Sequence, residues 1–136
     1  MDSPPRKPGV VSARAPRPLG PYPHARRVGS LLFLSGIGPR HRVTEQIPEG
    51  IEAQTRACIE NVKAILEDAG SSLEKVVDVT VFLTDIDRDF AAFNRVYGEF
   101  FEAIRPTRTT VGVVALPVPI LVELKVIAEE GSTLKT

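Results

Sequence analysis

Two charged residues stand where charge is costly, and they are the natural starting points for chemistry. Arg108 follows the Pro106-Thr107 corner and enters an apolar strand; its guanidinium cannot shed its proton there and so asks for a bidentate anion. Glu123 stands in the middle of Ile-Leu-Val-Glu-Leu-Lys-Val-Ile (120–127), where a carboxylate is expensive unless paired. Spacing alone favours a plain account, in which Arg108 pairs with Glu123, or Glu123 pairs with Lys125 or a neighbour. Other site signatures are missing. His24 and His41 are isolated, so paired metal ligation is not expected and no metal site is assigned. Ser35 precedes Gly36, but Phe33 replaces the glycine that a nucleophile elbow needs. The one cysteine, Cys58, falls on an apolar helical stripe and reads as a small core residue rather than a catalytic thiol.

The elements that must carry these residues follow from periodicity. Residues 26–36 fit a hairpin about Gly29-Ser30, and the apolar run 31–34 suits a strand covered on both faces. Glycine and proline mark a loop over 37–50. A helix is predicted over 51–69, with Ile51, Thr55, Cys58, Ile59, Val62, Ile65, Leu66 and Ala69 on one stripe and Gly70 as its stop. A half-buried strand over 76–84 follows, then a second helix opening near Asp87 or Asp89. Five of the eight aromatic residues fall in that helix, which reads as a core stripe rather than a cofactor box. Arg105-Pro106 ends it; strands over 109–115 and 120–128 close the chain. The order β-β-α-β-α-β-β makes an α+β sandwich, two helices on one face of a small mixed sheet. The other face is too apolar to be solvated, so other subunits are expected to bury it.

Composition limits the function classes. The chain of 136 residues is one domain in size, with 43% hydrophobic and 25% charged residues. The formal net charge is zero, which argues against nucleic-acid binding by bulk charge. The zero hides a split: residues 1–42 carry eight bases and one acid, a net +7, and the remainder carries −7. A single cysteine allows no intrachain disulfide and fits a reducing, cytoplasmic setting. No apolar run is long enough to span a membrane. Seven of twelve prolines fall in residues 1–23, without the apolar core of a secretory signal. A basic arm over 1–18, one domain over 19–130 and a tail over 131–136 are expected.

The motifs resemble a known family. Leu-Gly-Pro-Tyr (19–22), Leu-Phe-Leu-Ser-Gly (32–36), Ala-Gln-Thr-Arg (53–56) with Glu-Asn-Val-Lys-Ala-Ile-Leu-Glu-Asp-Ala-Gly (60–70), and Val-Thr-Val-Phe-Leu-Thr-Asp (79–85) are similar to the RidA/YjgF/YER057c/UK114 proteins. So are Phe-Asn-Arg-Val-Tyr-Gly-Glu-Phe-Phe (93–101), Pro-Thr-Arg-Thr-Thr-Val (106–111) and Val-Glu-Leu-Lys-Val-Ile-Ala (122–128). The resemblance implies a chorismate-mutase-like fold, a homotrimer with clefts between subunits, and hydrolysis of enamines or imines to keto acids and ammonia without a cofactor. It puts the substrate-holding arginine on Arg108 and the water-orienting glutamate on Glu123, with Tyr22, Ser35, Gly36, Thr110 and Val111 lining the substrate site. Thr110, Gly112, Ala115 and Ile37 depart from the residues usual in 2-iminobutanoate deaminases. Residues 8–15, 22–24, 32–36 and 106–111, with the basic loop of Arg40 and Arg42, resemble bacterial 2-aminomuconate deaminases instead. Such a substrate has a second carboxylate, for which His24, Arg40 or Arg42 are the candidates; solvated loop charges are the plainer reading of the same residues. A broad 2-imino acid deaminase is the nearest alternative. A non-catalytic metabolite-binding or chaperone-like trimer, or one acting on RNA or translation, is the alternative of another class.

Overall fold

A computed structural model describes residues 9–131 of the chain. Strands β1 (Gly9–Val10), β2 (Ala25–Val28), β3 (Leu31–Leu34), β4 (Val76–Leu83), β5 (Thr107–Gly112) and β6 (Val122–Glu129) form one sheet in the order β1-β2-β3-β6-β4-β5. All pairs are antiparallel except β4 with β5, which are parallel and joined through helix α2 (Ile86–Phe101). Helix α1 (Ile51–Asp68) lies beside α2 on the same face. This is the expected α+β sandwich with one short strand added in front.

The period of two in β4 and β6 makes the core. Val79, Val81 and Leu83 sit opposite Val126, Leu124 and Val122, and all six are buried under the helices. The α1 stripe of Cys58, Ile59, Val62, Ile65 and Leu66 meets them, fully buried as well. Each large apolar side chain removed from water there contributes roughly 1.5–3 kcal/mol. Gly70 takes φ +85 after the end of α1, the left-handed turn a glycine stop supplies.

Boundaries differ from the sequence expectation where turn chemistry intervenes. The Asp85 carboxylate accepts from the Arg88 backbone N–H at 3.2 Å, so α2 starts at Ile86, ahead of the predicted Asp87 or Asp89. The strand expected over 109–115 runs over 107–112 instead, because parallel pairing with β4 begins as soon as Pro106 is passed. Ile120 and Leu121 precede β6 rather than belonging to it. The arm expected over 1–18 also changes. Residues 1–8 lie outside the described residues, but 9–18 are seated on the domain: β1 pairs with β2, and Ser12 and Ala15 are buried. Extended, proline-rich chain suits packing along a surface as well as it suits an arm. Of the tail expected over 131–136, only Gly131 is described.

The sheet face away from the helices carries Thr80, Phe82, Glu123, Lys125 and Ile127, all half-exposed. Val77 and Val111 are exposed, and Val114, just past β5, is 100% exposed. Among the described residues no helix is long and apolar enough to cross a membrane.

Candidate functional site

Glu123 projects from β6 onto that bare face. There it lines a cavity of about 310 Å³ together with Tyr22, Ser35, Gly36 and Arg40. The floor is set by a single bridge: Ile37 N–H donates to Leu124 C=O at 2.8 Å, and Leu124 N–H to Ile37 C=O at 2.9 Å. This pairing lays Gly36 directly against the Glu123 carboxyl. A Cβ built on Gly36 would come within 2.9 Å of the carboxyl carbon and closer still to Oε2. The crowding at this glycine thus comes from the Glu123 side chain, which a Cβ would push aside, and not from backbone conformation. Gly36→Ala is expected to stay folded, with a thermal midpoint near that of the parent, while any activity that depends on the Glu123 carboxylate falls about tenfold because the carboxylate is displaced. Unchanged kcat/KM in that variant would show that the position of Glu123 does not matter.

No described residue donates a hydrogen bond or ion pair to Glu123, and burial pushes its carboxyl above the usual carboxylate range. The pairing with Lys125 that spacing allows does not form, because Lys125 Nζ donates to Leu34 C=O. Pairing with Arg108 does not form either. Arg108 is level with Val79 and Val126, three residues along from Glu123 and two strands away, roughly 14 Å between Cα atoms. It also points to the helical face. Its guanidinium carbon lies 4.7 Å from the Tyr97 ring centre, 5.5 Å from that of Phe93 and 5.8 Å from that of Phe90. The α2 aromatic stripe therefore has two uses: it fills the core, and it forms a cation platform at the sheet edge. Within one chain the two principal candidates are on opposite faces of the sheet.

The remaining candidates divide between the two faces. The Tyr22 ring packs on Gly20, and its hydroxyl accepts from Leu19 N–H at 3.3 Å, at the cavity rim. Ser35 Oγ donates to Pro23 C=O at 2.7 Å, which ties the Gly-Pro-Tyr segment to β3. Thr110 is level with Val81, beside Arg108; its Oγ1 is buried and unpartnered, as is the hydroxyl of Tyr97. Burial pushes that Tyr97 hydroxyl up to about 12. Val111 faces the other way, next to Phe82. His24 lines the cavity, but both ring nitrogens are engaged by its own chain. Nδ1 accepts from Ser12 N–H at 2.9 Å, which leaves Nε2–H to donate to Pro16 C=O at 2.6 Å. Its structural task is to pin residues 12–16, so it has no nitrogen left for a substrate carboxylate. Cys58 Sγ donates to Ile37 C=O at 2.9 Å, and burial raises its thiol far above the ordinary range, the reverse of an activated nucleophile. No three His, Cys, Asp or Glu among the described residues are grouped to hold a metal ion. Sequence reasoning missed Arg17, which lines the cavity with Arg40; nothing in its Pro-Arg-Pro setting signals a site.

Fold and site together define a class: small α+β domains of chorismate-mutase-like architecture with a carboxylate-bearing cavity on the open face of the sheet. The sequence profile described as Endoribonuclease L-PSP matches residues 12–130, and the chain belongs to this family, the RidA/YjgF family that its motifs resemble. A RutC family protein of Pyrococcus abyssi is 46% identical over 120 residues, 88% of this chain and 94% of that protein. TdcF of Escherichia coli, provisionally named a reactive intermediate deaminase, is 41% identical over 122 residues, with the same coverage. The crystal structure of E. coli TdcF with bound serine superposes with a TM-score of 0.85 at 39% identity, covering 90% of this chain and 98% of that one. A Thermotoga maritima protein provisionally named an endoribonuclease gives a TM-score of 0.87 at 41% identity, covering 93% and 100%.

Proposed function

We propose that the chain is a hydrolytic deaminase of enamine and imine acids, acting as a homotrimer, with 2-aminomuconate as its substrate. The carrying observation is the half-buried, unpartnered Glu123 carboxylate on a cavity wall. The relative named a reactive intermediate deaminase and the neighbour with a bound amino acid support the same reading.

In this reading Arg108 and Glu123 come from different copies. Arg108 stands at the edge strand of the sheet, and the apolar groups left uncovered on the bare face, Phe82, Val111 and Ile127, need cover. A neighbour's Arg108 then clamps the substrate carboxylate and fixes the adjacent carbon. The enamine gains a proton at carbon to become an iminium ion, which is the imine once its nitrogen gives a proton up. Glu123 takes a proton from water as its oxygen bonds to the imine carbon, and the returned proton lets the C–N bond break. Imine plus water gives ketone plus ammonia. No electrons are transferred, so no redox cofactor is required. Tyr22 closes the rim, and Thr110 and Val111 line the edge supplied by the partner copy. The two cavity arginines, Arg17 and Arg40, favour a dianion.

A broad 2-imino acid deaminase is the second reading, favoured by the name of TdcF. Phosphodiester cleavage, which the family description names, receives less support from the site: the cavity histidine is bonded at both nitrogens. Ammonia release by the purified chain from 2-aminomuconate and from 2-iminobutanoate separates these readings. Preference for the first is expected, preference for the second moves the chain to the broad class, and release from neither overturns the deaminase reading.

A further inference from the structure

We propose that Arg40 is the seat for a second anionic group of the ligand, and that the Glu45 carboxylate is its imperfect counter-ion in the free chain. Resting on the deaminase reading, this deepens it: the substrate is a short dicarboxylate with its reacting end at Glu123 and its far end at Arg40.

Arg40 lines the same cavity as Glu123, and its side chain is only 13% exposed. Nη2 donates to Arg17 C=O at 2.9 Å, but Nη1 is buried with no hydrogen-bond partner. A guanidinium stays charged, so a buried donor without an acceptor is an unmet demand for an anion. The anion at hand is Glu45, with Oε1 at 3.8 Å from Nη1, beyond hydrogen-bond range. Its other oxygen accepts from Arg17 Nε at 3.0 Å. Two cavity arginines thus converge on one carboxylate that satisfies only one of them.

The loop carrying Glu45 holds its own shape. His41 N–H donates to Gln46 C=O at 2.9 Å and Glu45 N–H to His41 C=O at 2.9 Å, while His41 Nδ1 accepts from Val43 and Thr44 N–H. Glu45 itself sits at φ +62, which is uncommon for a residue with a side chain. A ligand carboxylate can therefore replace Glu45 at Arg17 and Arg40 without undoing the turn. Since it is not tied to the backbone, it can also approach Nη1 to bonding distance, which Glu45 does not. Arg42 lines none of this cavity.

The test compares the parent chain with Arg40→Gln, Arg40→Lys and Glu45→Gln. Two readouts are used: kcat/KM for 2-aminomuconate against 2-iminobutanoate, and binding of adipate against hexanoate by calorimetry. In Arg40→Gln the dicarboxylate-to-monocarboxylate ratio of kcat/KM is expected to fall about tenfold, with partial rescue by lysine. Glu45→Gln, which leaves Arg40 in place, is expected to raise the ratio about threefold, through KM rather than kcat. Equal effects on both substrates, or no response to Glu45→Gln, overturn the assignment. If the parent hydrolyses neither substrate, the deaminase reading fails alone. Selective adipate binding that Arg40→Gln abolishes then still supports the seat, and its absence sinks it.

Discussion

Mixing two inactive variants, Arg108→Ala and Glu123→Gln, is expected to restore activity. The two side chains leave opposite faces of one sheet, roughly 14 Å apart at Cα, so no movement of side chains within a chain joins them. If one copy supplies Arg108 and the next supplies Glu123, each variant alone has every site broken. A mixed trimer made by co-refolding has an intact site wherever a Glu123→Gln copy lends its Arg108 to an Arg108→Ala copy. With equal amounts and random assortment about a quarter of all sites are intact, so specific activity returns to about a quarter of the parent value. Each variant alone is expected to lose about 10²-fold or more, since the proposed carboxylate clamp or the proposed water-activating base is gone. Absence of recovery in a sample shown by mass spectrometry to contain mixed trimers would mean that both residues act within one chain or that one of them does not act. Arg108→Lys is the subtler variant. It keeps the charge but loses the planar fork and the stacking on Tyr97, so near-normal turnover would remove the bidentate clamp.

How far the sequence reached depends on range. Local rules placed α1 almost to the residue, because a continuous apolar stripe ends at a glycine with positive φ. The face of β6 followed from alternation: Val122, Leu124 and Val126 in, Glu123 and Lys125 out. The relation between Arg108 and Glu123 was not readable in the same way. Each was recognisable as a costly charge, but which face Arg108 takes depends on the parallel register of β5 against β4, a long-range choice that no local pattern encodes. The zero net charge was similarly opaque. Much of the basic excess of the first 42 residues answers acids far along the chain: Arg14 meets Glu67 and Asp68, and Arg27 meets Glu130. Ser12 and Arg14 in turn hold the Asp68 carboxyl below its usual range. The basic segment is thus partly a strap for the domain, and among the described residues Arg17 and Arg40 bring its charge to the cavity.

Glu123→Gln is expected to move activity and stability in opposite directions. For activity, a carboxylate must be ionised to take a proton from water. Burial holds the Glu123 carboxyl above the usual carboxylate range, so the acid limb of kcat/KM is expected at a higher pH than a solvated glutamate would give. Gln cannot accept that proton, and turnover is expected to fall about 10²- to 10⁴-fold with the limb abolished. For stability the sign runs the other way. A folded-state value above the unfolded one means that the native chain holds the proton more tightly. The stabilising contribution is complete below the ordinary carboxylate value and is lost as pH rises through the elevated one. At neutral pH the parent bears the cost of an unpartnered, half-buried charge, which the isosteric amide removes. Thermal midpoints measured between acid and neutral pH should therefore converge at the acid end, and the Gln variant should melt higher at neutral pH. A variant that is both inactive and less stable at neutral pH would assign Glu123 to holding the fold together. The predicted combination, inactive yet more stable, is what a group kept at a cost for its chemistry would give.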